Sequence, residues 1–360
     1  MSVEEARSEQ TTYLKLRCES IPTNSEEAFN IPTIDISRSF SGHLPDRQAV
    51  AEEIHSASAS FGFFYLASHG VSPTSCSKVL EQAEKFFKTL PLDKKELLHL
   101  RQSKFGSGWE PPQYTSFYGD VETKEAFNFT FEEDFDKTGG DGKWVNLDGS
   151  PDNGNMWPAE EDLPGFRGII KDYYSELLEL SRHLFRLFAL SLSLPEDQFD
   201  SVTTHPGTMA RMVYYPAAKN PKPLHASKDE EIGVGAHTDF ECFTILLSSS
   251  CPGLEILNPH GRWVSVPPLA GTFVVNIGDF MMRWTNGLYK STIHRVVNRS
   301  QEERYSVPFF TSINYDAIVE TLPCCVSAEN PTKYPPVRAG IYILERQNVT
   351  TKDGKGYMEK

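Results

Sequence analysis

The 360-residue sequence predicts a mixed α and β protein in which a helical N-terminal half leans on a C-terminal β-roll. Three observations carry this expectation. Apolar side chains recur at a helical period over residues 46–60, 74–98 and 167–194. From about residue 207 the period changes to two, in short runs parted by Pro252-Gly253, Pro259-His260-Gly261 and Asn286-Gly287. The length suits one large domain or two ordinary ones, with a core that needs no disulfide or structural metal.

Residues 1–30 are polar and read as a loosely ordered segment. Residues 31–200 then form the helical N-terminal part. IPTIDI (31–36) alternates like a short strand, and 46–60 places Val50, Ile54 and Ala57 on one helix face. FGFFYLASHGV (61–71) is more strand than helix, given its aromatics and turn residues. Residues 74–98 return to helical spacing, with Val79, Ala83, Phe86 and Phe87 sharing a face. Residues 100–165 are rich in Gly, Pro, Trp, Asp and Asn and read as a functional loop or lid. Trp109, Tyr114, Phe117 and Tyr118 are available there as a substrate-side wall. The clearest helix spans 167–194, where Tyr173, Leu177, Leu180, Leu184, Leu187 and Phe188 make a central prop.

The roll occupies residues 201–315. TMARMVYYP, IGVGAH, CFTILLSS, LEILN, RWVSV, TFVVNIG, STIHRVVN and RYSVPFFTSI follow one another as short strands, which implies a β-sandwich or barrel. Residues 316–360 are mixed and read as a covering segment.

Lys and Arg number 35 against 49 Asp and Glu, a formal charge of −14. That balance argues against nucleic-acid and anionic-membrane partners, whose phosphates call for clustered cations. No apolar run is long enough to span a membrane, and the polar, acidic start lacks the pattern of a secretory signal. Cys18, Cys76, Cys242, Cys251, Cys324 and Cys325 are scattered without CxxC spacing. They read as reduced thiols acting as small buried hydrophobes in a cytoplasmic protein.

The chemistry concentrates in GAHTDFECFTILL. His237 and Asp239 stand two apart, so in an extended chain they project to one face. His294, in STIHRVV, is a second candidate imidazole. Two His and one carboxylate make a facial metal site with open positions, the arrangement of non-haem iron(II) oxygenases. The bland alternatives are a hydrogen-bonded surface pair and a satisfied core histidine; zinc, manganese and nickel also suit such ligands. Ten residues beyond His294, period two puts Arg304, Ser306, Pro308 and Phe310 on one face. A guanidinium turned inward predicts a buried anion, with Ser306 as a further donor; the alternative is an internal salt bridge.

Arg211, Val213 and Tyr215 share a face in RMVYYP. Tyr215 offers a phenol near the same pocket, and Arg211 either reaches an acidic substrate or makes a surface ion pair. Phe240 is pocket wall or plain core. Gly106-Ser107-Gly108 lacks the setting of a dinucleotide fingerprint, and no GxSxG elbow appears. His43, His55, His69, His99, His183, His205, His225 and His260 read as structural.

These residues together resemble the 2-oxoglutarate- and iron(II)-dependent dioxygenase superfamily, in its isopenicillin-N-synthase-like branch. The resemblance runs from about residue 31 to 345. It rests on IPTIDI, FGFFYLASHGV, Lys124-Glu125-Ala126-Phe127, the HTD of 237–239, NIGDFMMRWTNGLYKSTIHRVVN (276–298) and the RYS of 304–306. It implies a double-stranded β-helix, or jelly roll, with the helical N-terminal part packed on it. It implies His237, Asp239 and His294 as catalytic iron ligands, Arg304 and Ser306 on the far carboxylate of 2-oxoglutarate, and Tyr215 beside them. Phe310 matches a position that often stacks on substrate. Val213 stands where the family's Asn-Tyr-Tyr-Pro motif has asparagine, so one polar contact to the co-substrate is missing or supplied from elsewhere.

The implied activity is an Fe(2+)- and 2-oxoglutarate-dependent oxygenase that uses dioxygen, with ascorbate as a stimulant. It acts on a small organic metabolite of specialised metabolism by hydroxylation, desaturation or oxidative cyclisation. Two alternatives stand beside it: a 2-oxoglutarate-independent oxidase of the isopenicillin N synthase type, kept open by Val213, and a non-catalytic small-molecule binding module on the same roll. A monomer or weak homo-oligomer is expected.

Overall fold

Strands of period two must find partners for their backbone N–H and C=O groups, and here they do so mainly in two sheets. The computed structural model describes residues 31–103, 105–115, 122–151, 154–221 and 231–350. The expectations for residues 1–30 and for Cys18, Phe117, Tyr118 and His225 lie outside the described residues.

The strands are β1 (Thr33–Asp35), β2 (Phe63–Ala67), β3 (Gly108–Glu110), β4 (Glu125–Thr130), β5 (Met209–Tyr215), β6 (Ile232–His237), β7 (Phe243–Ser248), β8 (Leu254–Leu257), β9 (Trp263–Ser265), β10 (Phe273–Ile277), β11 (His294–Val297), β12 (Arg304–Thr311), β13 (Ile318–Val319) and β14 (Val337–Arg338). The α-helices are α1 (Leu44–Ser60), α2 (Pro73–Thr89), α3 (Leu92–Leu97), α4 (Phe166–Ser191), α5 (Asp279–Trp284) and α6 (Ala339–Thr350). The major sheet runs β1-β2-β10-β7-β12-β5-β4-β3, and the minor sheet runs β6-β11-β8-β9. Together they form the jelly-roll core, with the N-terminal helices packed on it.

Alternation decides which side chains face which layer. Along β12, Val307 and Phe309 turn outward to the helices while Ser306, Pro308 and Phe310 line an internal cavity. Along β7, Phe243 and Ile245 face the helices while Thr244 and Leu246 face the cavity. α4 is the prop on the outer face. Tyr174 meets Phe309 edge-on at 4.8 Å, and Phe185 and Phe188 each meet Phe243 at 5.1 Å. Burying each such ring stabilises the packing by roughly 1.5–3 kcal/mol.

Two expectations need correction. The helix expected over 74–98 is two helices. Pro91 has no N–H to continue the ladder and holds Leu90 extended, at φ −69° and ψ 121°, so α2 stops at Thr89 and α3 starts afresh. The stretch 100–165 is not wholly loop. It contributes β3 and β4, which extend the major sheet beyond β5. EAFNFT alternates as a strand should, with Phe127 and Phe129 in the helix-side core and Asn128 toward the cavity.

Cys76, Cys242, Cys251, Cys324 and Cys325 are free thiols. The buried-hydrophobe reading fits Cys242 and Cys251 and fails for Cys324, which is exposed on the short 3-10 turn Pro323–Cys325. Among the described residues no helix is long and apolar enough to cross a membrane.

Candidate active site

The cavity lies between the two sheets, so both contribute side chains to it. His237 ends β6, His294 begins β11, and the two are direct partners in the antiparallel ladder. Asp239 follows in the turn after β6. The Nε2 atoms of His237 and His294 each stand 3.6 Å from Asp239 Oδ1, and one ligand atom from each residue lies within 4.8 Å of the other two. Among the described residues this is the one such cluster of three.

Each imidazole is oriented by its other nitrogen. His237 Nδ1 donates to the Gly235 carbonyl at 2.8 Å, and His294 Nδ1 donates to the Thr292 carbonyl at 3.1 Å. Both Nε2 lone pairs are thereby left for a metal. Asp239 is held in the same way. Its Oδ2 accepts from Asn276 Nδ2 at 2.6 Å and from the Thr244 hydroxyl, which leaves Oδ1 toward the cluster. Burial works to raise the Asp239 carboxyl; His294, His237 and Thr244 outweigh it and hold the group well below the usual carboxylate range. Burial, and then the charge of His237, push His294 down to about 4. An anionic carboxylate and a neutral imidazole are the forms that bind a divalent metal.

Arg304 lies on the opposite sheet and is 2 % exposed. Its Nη1 donates to Ser306 Oγ at 3.2 Å and its Nη2 to Ser248 Oγ at 2.9 Å. The guanidinium sits 4.8 Å from the centre of the Tyr215 ring. Its Nε has no partner, and no carboxylate among the described residues pairs with it. The internal salt bridge allowed by the sequence is therefore not what the fold builds. A buried cation answered by two hydroxyls and an aromatic face fits a carboxylate from outside the chain. Val213, opposite Ser306 in the ladder, lines the cavity with an apolar face.

The remaining expectations divide. Phe240 and Phe310 line the cavity, as does Arg211. Arg211, however, makes neither a surface pair nor an open end. It pairs with the buried Glu110 and donates from Nε to Asn128 Oδ1 at 2.8 Å. Trp109 and Tyr114 are not part of the wall. Trp109 is the middle residue of β3, so it points away from the face that carries Glu110, and its indole donates to Glu125 Oε2 at 3.0 Å. Phe105 and Thr115 line the cavity instead.

Sequence reasoning missed Asn276, Thr244, Glu241, Glu110 and Glu122. Asn276 opens the NIGDF run and Thr244 is inward by alternation, so both carried a period-two signal. Glu110 carried none; it accepts from Lys124 and from the Thr115 hydroxyl at 2.7 Å. Glu122 reaches Lys124 at 3.2 Å and accepts from the Gly235 N–H at 2.9 Å. Burial works against the Glu110 carboxylate, but Lys124 and Arg211 bring it down to about 2. Glu241, two residues past Asp239, lines the cavity. Burial, then the charge of Asp239, push it up to about 8.

Two family models match the chain. Residues 206–313 match the 2OG-Fe(II) oxygenase superfamily, and residues 31–160 match the N-terminal part described for non-haem dioxygenases in morphine synthesis. A 2-oxoglutarate-Fe(II) type oxidoreductase of Metarhizium majus is 33 % identical over 328 residues, covering 88 % of this chain and 86 % of that one. Another, of Emericella nidulans, is 35 % identical over 314 residues, covering 85 % and 86 %. The crystal structure of a full-length Neurospora crassa protein in complex with alpha-KG and thymine superposes with a TM-score of 0.75 at 27 % identity, covering 90 % of this chain and 98 % of that one.

Proposed function

The chain belongs to the 2-oxoglutarate and iron(II) oxygenase superfamily, and from that premise we propose that His237, Asp239 and His294 hold its iron while Arg304, Ser306 and Tyr215 receive the far carboxylate of 2-oxoglutarate. The protein is a 2-oxoglutarate-dependent dioxygenase. The observation that carries the residue assignment is the buried Arg304 guanidinium without an acidic partner, across the cavity from a cluster of two imidazoles and one carboxylate.

When bound, iron(II) and 2-oxoglutarate supply the oxidising power for attack on a C–H bond. The chain's own groups prepare that chemistry. The Gly235 and Thr292 carbonyls keep the two Nε2 atoms unprotonated. Asn276 and Thr244 fix the Asp239 carboxylate before any ligand arrives. Val234, Leu246, Leu254 and Val296 wall the cavity with hydrocarbon and exclude water. Phe240 and Phe310 flank the substrate side and orient the bond to be oxidised. The substrate is a small organic metabolite of specialised metabolism. Which bond is presented decides between hydroxylation, desaturation and ring closure.

The test is made without oxygen. Wild-type protein should bind one equivalent of iron(II), develop a weak visible band with 2-oxoglutarate, and form succinate once oxygen and substrate are admitted. Arg304→Lys keeps the charge and loses the planar fork, so the KM for 2-oxoglutarate should rise about 10–100-fold with iron binding intact. His237→Ala and Asp239→Ala should lose the band and all turnover. Full activity in either alanine variant would refute the ligand assignment.

A further inference from the structure

We propose that Glu241 anchors a positively charged nitrogen of the substrate, so that the substrate is a small organic amine or guanidine whose oxidised carbon lies away from that nitrogen. This deepens the reading above and rests on it for the place of the metal and the co-substrate.

Glu241 is 6 % exposed and lines the cavity, yet no side chain among the described residues gives its carboxyl a hydrogen bond or an ion pair. The other buried acids around it are answered. Glu110 meets Lys124 and Arg211, Glu122 meets Lys124 and Thr115, and Asp279 accepts from Ser291 and Tyr342. Asp239 is held by Asn276 and Thr244 beside two imidazoles. Arg346, on α6, is turned to Asp279 and stands over the Phe240 ring. Glu241 is thus an acid without a counter-charge in a cavity built to admit ligand. A carboxylate in that position is unfavourable until a cation joins it.

Its place gives the ligand a direction. Arg304 and Phe310 lie six residues apart on β12, roughly 20 Å at strand rise. Glu241 belongs to the Phe310 end. The N–H of its neighbour Cys242 donates to the Thr311 carbonyl at 3.0 Å, and Thr244, which holds Asp239, pairs with Phe310 across the ladder. A cation without a counter-charge therefore stands at one end of the cavity and an acid without one at the other, the end at which Thr244 also holds Asp239. The two groups sort a dicarboxylate co-substrate from a cationic substrate and keep each from the other's end. The rings of Phe240 and Phe310 add faces that favour an ammonium or guanidinium over an anion.

The experiment titrates iron(II)- and 2-oxoglutarate-loaded protein, without oxygen, with hexylamine, hexan-1-ol and hexanoate, following binding by calorimetry and by perturbation of the visible band. Wild type should bind hexylamine at least about tenfold more tightly than hexan-1-ol, and hexanoate most weakly. Glu241→Gln should abolish the preference for hexylamine while still forming the 2-oxoglutarate band. Glu241→Asp, which keeps the charge, should retain the preference and covers the case in which the glutamine variant does not fold. Equal binding of amine and alcohol by wild type, no binding of the amine, or a preference that survives in Glu241→Gln would each overturn the proposal. Loss of the 2-oxoglutarate band in wild type would instead count against the metal and co-substrate assignment, and calorimetry would still report on Glu241.

Discussion

Asp239 shows how a single carboxylate serves two tasks. One oxygen is used up by Asn276 and Thr244, and the other is aimed at the histidines. Asn276→Ala should therefore lower iron(II) affinity about 10–100-fold without removing a ligand, read by anaerobic titration; an unchanged affinity would mean that the amide does not orient the carboxylate. At this scale the sequence was legible wherever the signal was local. His237 and Asp239 two apart, and Arg304, Ser306, Pro308 and Phe310 in alternation, are statements about one strand. Glu241 was not legible. Its meaning depends on which cations the rest of the chain withholds from it, and that is a property of the tertiary structure. Arg211 misled for the same reason, because Glu110, its partner, is 101 residues away.

Elements were legible from their periods, and the failures came where two signals competed. In 100–165 the turn-rich composition hid two strands, although EAFNFT alternates plainly. In 74–98 the apolar spacing masked the break that Pro91 imposes. The roll itself depends on helices seated against its outer face. Phe309 is fully buried under Tyr174 and points away from the cavity. Phe309→Ala should destabilise the fold by about 3–5 kcal/mol, measured by denaturant unfolding. The 2-oxoglutarate band of the folded fraction should be retained; its loss would show that the outer packing also shapes the cavity.

For the whole molecule, the buried ions of the cavity wall tie the sheet edge to the minor sheet. Glu110 comes from β3, Lys124 from just before β4, Arg211 from β5, and Glu122 reaches the β6 backbone at Gly235. Because the Glu110 carboxyl falls from 4.5 to about 2 on folding, the unfolded chain holds more protons between those values. Its stabilising contribution is full above pH 4.5 and is lost as the pH falls toward 2. Acid titration of wild type should show this loss, and Glu110→Gln should flatten that limb. The same variant should be less stable at pH 7 by about 3–5 kcal/mol, since Lys124 and Arg211 then lose the buried carboxylate that both of them meet. A variant as stable as wild type at both pH values would show that the network contributes nothing.

Gln347 on α6, together with Phe105 and Thr115 from the stretch before β4, reaches the cavity from outside the two sheets. His237, His294 and Arg304 are thus carried by the sheets, while part of the cavity lining is contributed by peripheral pieces. Substitutions in those pieces would change the shape of the cavity without touching the strands that carry His237, His294 and Arg304, which is a physical route by which one scaffold could come to accept different molecules.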